Sequence, residues 1–380
     1  MALLHLFARL QAHRGGSVHA VTVDHRLRPE AADETQFVAR FCASIGAMHD
    51  ALRWDHGAVA GNLQDQARRA RYGLIGNWAR AKGIGHVVLG HTADDQAETF
   101  LMGLARTAGI DGLSGMRNAW TDGGIHWVRP YLSTPRQDLR NYLTRKGITW
   151  VEDPSNADDR FTRVKARKVL KALKPLGIGV EKLTGVVANL SLAQGTLRIA
   201  ASERAATMAR TEAGEVIIDR EAFRRTDPEI RRRILKAVVL WVARGDYAPR
   251  ADAILRIGLA IDEGRGATLA GVRLVAKDTE ARFTREGKAV AGLETPTDAF
   301  WDRRWRLTGP HDPGLRARAL GAEGLHRCEG WRATGFSRAA LVVTPAIWRG
   351  DTLIAAPMAG MANGWTAEIV AGFHSFLLSH

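Results

Sequence analysis

Cysteine is scarce in this 380-residue chain, which contains only Cys42 and Cys328. The two lie far apart and form no CxxC pair, which excludes a disulfide framework and a thiolate zinc site. We therefore expect a reducing compartment, the cytoplasm. Long apolar runs are missing too. The clearest one, from Ala237 to Ala243, is far shorter than the about 20 residues that span a bilayer, so we expect no membrane partner.

Common nucleotide-binding and hydrolase motifs are also absent. The chain contains neither GxGxxG nor GxxxxGK[ST], which excludes the two common phosphate loops, and no GxSxG elbow indicates a catalytic triad. Acidic residues are outnumbered, with 54 Lys and Arg against 40 Asp and Glu, a net charge of +14. This excess favours polyanionic partners, nucleic acid first, although a solvated basic surface fits the same count.

The most informative stretch is 91–98, His-Thr-Ala-Asp-Asp-Gln-Ala-Glu. An apolar run ending at Gly90 precedes it and an apolar helical pattern follows, which predicts a buried strand and then a helix with carboxylates in its first turn. Asp94 and Glu98 are four residues apart and project from one face. With His91 at the carboxyl end of the strand, where open α/β sheets bind ligands, they could hold Mg²⁺ or an ammonium group. The simpler alternative is that the acids only favour the helix dipole.

Strands alternate with helices in the first half of the chain. Helical patterns cover residues 1–14, 31–46 and 63–82. Strands are predicted at 18–23, 48–54 and 86–90, with further elements at 127–131 and 148–151. Such alternation is typical of a parallel α/β sheet. We predict an α/β fold with a doubly wound parallel sheet, followed by a mostly helical domain and a small mixed C-terminal region.

Basic residues concentrate just after Asp153-Pro154-Ser155-Asn156, which interrupts the pattern and marks a predicted boundary. Residues 160–174 hold seven basic side chains and no acid. Because like charges repel unless a polyanion meets them, we predict nucleic-acid contact there, with a solvated helix as the alternative. The candidates are Arg160, Arg163, Lys165, Arg167 and Lys171. A second cluster includes Arg231 and Arg232, for which both interpretations stay open.

Several motifs, taken in order, resemble one known family. They are Val23-Asp24-His25-x-Leu27-Arg28, Gln66-Ala67-Arg68-x-x-Arg71-Tyr72, the stretch 91–99, Gly112-Leu113-x-Gly115-Met116, and Asp153-Pro154-Ser155-Asn156 followed by Arg160-Phe161-x-Arg163. Together they closely resemble tRNA(Ile)-lysidine synthetase, a family of N-type ATP pyrophosphatases with an adenine nucleotide alpha hydrolase-like fold. The resemblance is specific over residues 1–170 and looser towards the C-terminus.

The resemblance implies a carbon–nitrogen ligase that converts ATP to AMP and diphosphate. Such enzymes adenylate carbon 2 of the wobble cytidine in tRNA(Ile) with the CAU anticodon. Free L-lysine then displaces AMP through its side-chain amine, so that the anticodon reads AUA instead of AUG. Because that amine has a reference pKa of about 10.4, a carboxylate must hold the ammonium and help remove its proton. The implied partners are ATP with Mg²⁺, this tRNA and lysine, and a homodimer is a further expectation.

The resemblance, with the positions of the residues, also implies site roles. The expected catalytic residues are Asp24, Asp94 and Glu98. The last two would bind lysine or metal, and the first would lie near ATP or Mg²⁺. The expected ATP-binding residues are His25, Arg68, Arg71 and His91. The expected magnesium ligands are Asp94 and Asp95.

One feature of the family is absent, the Ser-Gly-Gly-x-Asp-Ser loop whose N–H groups cradle the ATP phosphates. This chain starts at Met1 in the segment that follows that loop. We expect either a start codon upstream or a non-catalytic tRNA-binding remnant. The missing strand would lie between the strands ending at Asp24 and Gly90, leaving a slot. A tRNA thiolase is a further rival, but it needs paired catalytic cysteines.

The predicted domains follow from these motifs. They are an N-terminally incomplete ATP pyrophosphatase-like catalytic domain over 1–155, a basic helical linker over 156–212, a central tRNA-binding domain over 213–299 and a C-terminal region over 300–380.

Overall fold

The computed structural model describes residues 1–25, 31–55, 63–151, 162–245 and 248–379. It forms two compact units, Met1–Gln194 and Gly195–His380. The division falls inside the predicted linker 156–212, and the finer division into four parts stays a prediction. Several motif residues lie outside the described residues, namely Leu27, Arg28, Arg160, Phe161 and the stretch 153–156.

The first unit alternates helices and strands. Its helices are α1 (Ala2–Arg14), α2 (Ala31–Ser44), α3 (Leu63–Ala81), α4 (Ala93–Leu104), α5 (Ile110–Leu113), α6 (Arg136–Arg145), α7 (Thr162–Leu173) and the first part of α8 (Val180–Met208), with a 3₁₀ turn at Lys174–Leu176. Its strands are β1 (His19–Asp24), β2 (Met48–Arg53), β3 (His86–Val88), β4 (Ala119–Asp122) and β5 (Ile125–Val128). The element predicted at 148–151 is wrong, because the N–H of Ile148 closes the end of α6 on the carbonyl of Leu143.

The strands of this unit pair in two sets. β1 runs parallel to β2, while β3 runs parallel to β5 and β4 completes a hairpin with β5. Among the described strands, none joins β1 to β3, and the slot expected between them stays a prediction. Val21 and Val23 of β1 still pack on the same apolar core as Val87 and Leu89. The predicted α/β fold class with a parallel sheet is confirmed.

The second unit combines helices with antiparallel sheets. Its helices are α9 (Arg220–Arg224), α10 (Pro228–Ala243), α11 (Ala251–Asp262), α12 (Gly287–Val290), α13 (Gly321–His326), α14 (Arg338–Leu341) and α15 (Phe373–Ser379), with 3₁₀ turns at Trp331–Thr334 and Pro357–Ala359. One sheet has the order β6 (Ala209–Glu212), β7 (Glu215–Asp219), β10 (Glu280–Arg285), β9 (Val272–Ala276), β8 (Ala267–Leu269). A second has the order β11 (Thr295–Pro296), β13 (Arg316–Ala319), β14 (Pro345–Arg349), β15 (Thr352–Ala355), and β12 (Trp305–Thr308) pairs with β16 (Thr366–Ile369).

The core of the second unit forms around α10. Its apolar face, which includes Ile234, Val238 and Trp241, is buried against the five-stranded sheet and α15. Of the described helices, none alone is both long and apolar enough to cross a membrane. One pair, 162–176 and 180–208, meets that test only when its two halves, bent by 102°, are taken together.

Candidate active site

The first turn of α4 is held by its own side chains. Thr92 is the N-cap, and its N–H and hydroxyl both donate to Asp95 Oδ2 at 2.8 Å. This is the reciprocal half of a capping box, which the pattern Thr-x-x-Asp allows. Burial by itself raises the pKa of Asp95, but the Thr92 donors and the charge of Arg136 outweigh it, so the pKa lies below its usual value. The charged carboxylate of Asp95 therefore stabilises the start of α4 through its hydrogen bonds with Thr92.

Asp94 joins α4 to the start of α6. The backbone N–H of Arg136 donates to Asp94 Oδ2 at 2.7 Å. Sequence spacing favours a capping box with Pro135 as the first helical residue, but Pro135 is itself the N-cap and makes no side-chain cap. The free N–H of the first turn is instead satisfied by a carboxylate from another helix, which fulfils the same physical requirement.

Glu98 is the most deeply buried acid of this cluster, with its side chain 1% exposed. Arg167 Nε donates to its Oε1 at 2.6 Å, and Arg136 Nη2 lies 3.6 Å from the same oxygen. The other oxygen, Oε2, is buried and accepts no hydrogen bond from the described residues. A buried carboxylate oxygen without a donor costs free energy, and a bound cation or N–H group would recover it.

Arg136 and two residues of α7 balance these acids. Arg136 Nη2 also lies 3.3 Å from Asp95 Oδ1, and Arg163 Nη1 lies 4.0 Å from that oxygen. We name the set Asp94, Asp95, Glu98, Arg136, Arg163 and Arg167 the α4 charge cluster. It contains three carboxylates and three guanidinium groups, so its charges nearly balance.

The basic helix α7 directs some of its basic residues towards α4 and others towards solvent. Arg163 and Arg167, both predicted to contact nucleic acid, turn towards the α4 charge cluster. Leu170 packs with Phe100 of α4, which anchors the helix on the first unit. Lys165 and Lys171 remain exposed, and Arg160 lies outside the described residues. Of the predicted contact residues described on α7, these two lysines point to solvent.

A second polar group forms around Arg129, which follows β5. Its Nη1 donates to the carbonyl of Arg117 at 2.7 Å, its Nη2 to the hydroxyl of Tyr72 at 2.9 Å and its Nε to His91 Nδ1 at 3.2 Å. The guanidinium also stacks on Trp120, 4.2 Å from the ring centroid. Burial and then the charge of Arg129 lower the pKa of His91 to about 4, against the opposing effect of Asp95. His91 is thus a neutral ring at pH 7.

The motif Gly112-Leu113-x-Gly115-Met116 packs on α4 through Gln96. Gln96 Oε1 accepts the N–H of Met116 at 2.6 Å. Gly115 has φ +74°, and a Cβ there would lie 2.6 Å from Gln96 Oε1 and 2.7 Å from Val187. Glycine is required here both by its positive φ and by the close approach. This part of the motif supports α4.

The remaining predicted residues sit at the ends of β1 and on α3. Asp24 ends β1, and the ring of His25 lies edge-on to Trp54 with centroids 5.7 Å apart. Arg68 and Arg71 are exposed on α3, with Arg68 5.8 Å above the ring of Tyr72. Through Tyr72 and Arg129, α3 is connected to His91. The catalytic role of Asp24 and the ATP contacts of His25, Arg68 and Arg71 stay predictions.

The role predicted for Asp94 and Asp95 as magnesium ligands stays a prediction. Their Oδ2 atoms already accept hydrogen bonds from Arg136 and Thr92. Within the described ranges, no group of three or more His, Cys, Asp or Glu side chains is placed to hold a metal ion. We therefore derive no step of the chemistry through a metal held by these two carboxylates.

Arg231 and Arg232 are ion-paired inside the second unit. Arg231 pairs with Asp262 and lies 4.4 Å above the ring of Phe223, while Arg232 makes two bonds to Glu229, at 2.7 and 2.8 Å. These ion pairs are consistent with a role in stability. The role of Arg231 and Arg232 in binding nucleic acid stays a prediction.

Both cysteines are buried, and burial raises the pKa of each thiol. Reactive cysteines need the opposite, a lowered pKa and access to solvent. This is consistent with the sequence-based argument against a thiolase.

Sequence reasoning missed Arg129 and Arg136 as members of the site. A signal for Arg129 existed, because it directly follows β5, the parallel neighbour of β3, and the carboxyl ends of parallel strands meet at one edge. Arg136 could be placed at the start of α6 from the sequence. Its spacing along the chain does not show which carboxylate it pairs with.

Known proteins that are similar to this chain indicate its family. Residues 1–173 match the PP-loop domain family. A tRNA(Ile)-lysidine synthase from Ruegeria pomeroyi is 44% identical over 383 residues, which cover 100% of this chain and 91% of that protein. Enzymes of the same name from Hyphomonas neptunium and Orientia tsutsugamushi are 37% and 31% identical, over 73% and 68% of this chain and 76% and 60% of their own lengths. The resemblance seen in the sequence is confirmed, and this chain belongs to the tRNA(Ile)-lysidine synthase family.

Proposed function

We propose that this protein acts in the cytoplasm as a tRNA(Ile)-lysidine synthetase. It uses ATP to adenylate carbon 2 of the wobble cytidine in tRNA(Ile) with the CAU anticodon. The side-chain amine of free lysine then displaces AMP. The observation that carries this proposal is the α4 charge cluster, whose buried Glu98 Oε2 lacks a donor among the described residues, in a chain of this family.

Glu98 is proposed to receive the lysine ammonium. Its Oε1 already pairs with Arg167, and its Oε2 is the acceptor left for a ligand. The near balance of charge in the cluster matters for the chemistry. A purely acidic pocket would hold the ammonium but also keep its proton, since nearby negative charge raises the pKa of an amine. Arginines beside each carboxylate weaken that effect, so the amine loses its proton more easily and becomes a nucleophile.

The phosphate side of the reaction is proposed to use the group around His91. A neutral His91 and the cationic Arg68 and Arg71 are donors suited to developing negative charge on phosphate oxygens. Asp24 and His25, at the end of β1, are proposed to approach ATP from the neighbouring strand. A magnesium ion is proposed to arrive with ATP as part of that substrate.

The tRNA is proposed to contact α7. Lys165 and Lys171 are exposed on this helix, and phosphate contacts of this kind position a nucleic acid without reading its sequence. The inward arginines of α7 link that surface to the α4 charge cluster, so the tRNA-binding helix and the lysine site share one element. The expected homodimer stays a prediction.

Lysine transfer tests the proposal. Radiolabelled lysine is incubated with ATP and transcripts of tRNA(Ile) with the CAU anticodon, and a CAU transcript that reads AUG is the matched control. The assay uses the 380-residue chain and a form carrying any in-frame upstream residues. We expect label and AMP only with tRNA(Ile). Binding of tRNA without AMP release in either form would instead favour the non-catalytic remnant.

Variants then test the site. Glu98→Gln is expected to lower lysine transfer at least about 100-fold, within the range typical of a lost acid–base group. Glu181→Gln, an exposed acid in the first turn of α8, is the matched control. Full activity of Glu98→Gln would show that the lysine binds elsewhere.

A further inference from the structure

The guanidinium of Arg129 is fixed on every side. The residue is 4% exposed, although a charged side chain is rarely buried without a carboxylate partner. Its three nitrogens meet a backbone carbonyl, a tyrosine hydroxyl and His91 Nδ1, and its plane covers Trp120. Among the described residues, these partners of Arg129 include no carboxylate. Such a side chain is built to hold its neighbours in place.

The contact with His91 has a defined direction. A guanidinium offers only N–H donors, so the 3.2 Å contact between Arg129 Nε and His91 Nδ1 requires a lone pair on Nδ1. A neutral imidazole with a free Nδ1 carries its proton on Nε2. Arg129 therefore selects one of the two neutral tautomers. A protonated ring, with N–H groups at both positions, would face the Nε–H of Arg129 with a second N–H.

The charges around His91 act in the same direction. Arg129, Arg71 and Arg163 disfavour a positive ring, and Asp95 is the charge that favours it. Three cations outweigh one carboxylate that is itself committed to Thr92 and Arg136. Burial of the ring, first, and these charges, second, lower the pKa of His91 and keep the ring neutral. The hydrogen bond from Arg129 sets which nitrogen carries the proton.

We propose that Arg129 is a positioning residue that fixes His91 as its Nε2–H tautomer, so that His91 serves the reaction as a hydrogen-bond donor and not as a base. The assignment of the tautomer rests on the contacts of Arg129 alone. The use of that donor towards a phosphate oxygen of ATP or of the adenylated tRNA rests on the proposed function. Tyr72 supports the arrangement by accepting from Arg129 Nη2 on the other side.

Nitrogen NMR of histidine-labelled protein tests the tautomer directly. In the wild-type chain at pH 7 we expect the His91 signals of a protonated Nε2 and an unprotonated Nδ1, assigned by their loss in His91→Gln. A protonated Nδ1, or a ring charged at pH 7, would overturn the proposal. This measurement needs no catalysis, so it stands apart from success or failure of the lysine-transfer assay.

Two variants test the part played by Arg129. Arg129→Met should mix the two tautomers, whereas Tyr72→Phe, which keeps the Arg129–His91 contact, should retain the wild-type pattern. An unchanged His91 pattern in folded Arg129→Met would overturn the role of Arg129. If Arg129→Met does not fold, Arg129→Lys, which keeps the charge but moves the donor, should still shift the tautomer signals, and an unchanged pattern there would also overturn it.

Kinetics separates positioning from simple support. Loss of a hydrogen-bond donor to the transition state typically lowers kcat by about 100-fold or more. In Arg129→Met the donor His91 remains but is less well positioned, so we expect kcat to fall by about 10-fold or more, with an unchanged KM for lysine. His91→Gln, which keeps an amide donor, should retain more activity than His91→Ala. Equal loss in both His91 variants would show that the donor role is wrong, even where the tautomer is as expected.

Discussion

The ion pair between Glu98 and Arg167 allows a prediction in which stability and activity separate. The carboxylate is 1% exposed and the guanidinium 25%, with Nε and Oε1 2.6 Å apart. Removing one partner of a fully buried pair costs about 3–5 kcal/mol, whereas an exposed pair is worth about 0–1 kcal/mol. This pair lies between those limits, and its two halves differ in their access to water.

That difference fixes the order of the effects. In Glu98→Gln the side chain of Arg167, which is 25% exposed, still reaches solvent, so we expect a loss of about 2 kcal/mol. In Arg167→Met the buried carboxylate keeps one ion-pair partner among the described residues, Arg136 at 3.6 Å, and we expect a larger loss of about 3 kcal/mol. The double variant should lose less than the sum, with a coupling of about 1–2 kcal/mol. It should nevertheless be as inactive in lysine transfer as Glu98→Gln, because the acceptor for lysine is gone.

Urea unfolding followed by tryptophan fluorescence measures this order. With a slope of about 2 kcal/mol per M, a loss of about 2 kcal/mol lowers the midpoint by about 1 M. Midpoints are compared between variants, since a chain of two units need not unfold in one step. Glu181→Gln is the control and should stay at the wild-type midpoint. Single variants that both melt like this control, or a double variant that regains lysine transfer, would refute the reasoning.

Two further predictions concern His91 and the exposed lysines of α7. The pKa of His91 is lowered from 6.5 to about 4 by burial and by Arg129, Arg71 and Arg163, against the opposing effect of Asp95, so the unfolded chain binds the extra proton at a higher pH than the folded chain. The stability that depends on the neutral ring should therefore be complete above pH 6.5 and fall towards pH 4. This added pH dependence of stability should vanish in His91→Asn, and an unchanged slope in that variant would argue against a neutral ring. Changing Lys165 and Lys171 to Ala should reduce the slope of the salt dependence of tRNA binding by about one unit per lost contact. Lys146→Ala, which changes an exposed lysine on the same unit, should leave that slope unchanged. An equal effect of all three lysine substitutions would show that α7 has no special role in binding tRNA.

The class of fold could be predicted from the sequence, and so could the start of the helix that carries Asp94, Asp95 and Glu98. The alternation of buried strands with amphipathic helices is local information, and it placed β1, β2 and β3 and the helices α1 to α4 within a few residues of their observed bounds. The stretch 91–98 marked the start of α4 at the carboxyl end of β3 because strand, turn and capping signals are all written in neighbouring residues. Motif order then pointed to the family.

The partners of the acids on α4 depend on the tertiary structure and could not be predicted from the sequence. Asp94 caps α6, Asp95 caps its own helix, and Glu98 pairs with Arg167, 69 positions further along the chain. No local pattern encodes these partners, because an acid at a helix start looks the same whether it holds a metal, a lysine or an arginine. The same holds for α7, in which Arg163 and Arg167 turn inward while Lys165 and Lys171 stay exposed. It also holds for His91, whose tautomer depends on an Arg129 that arrives from a neighbouring strand.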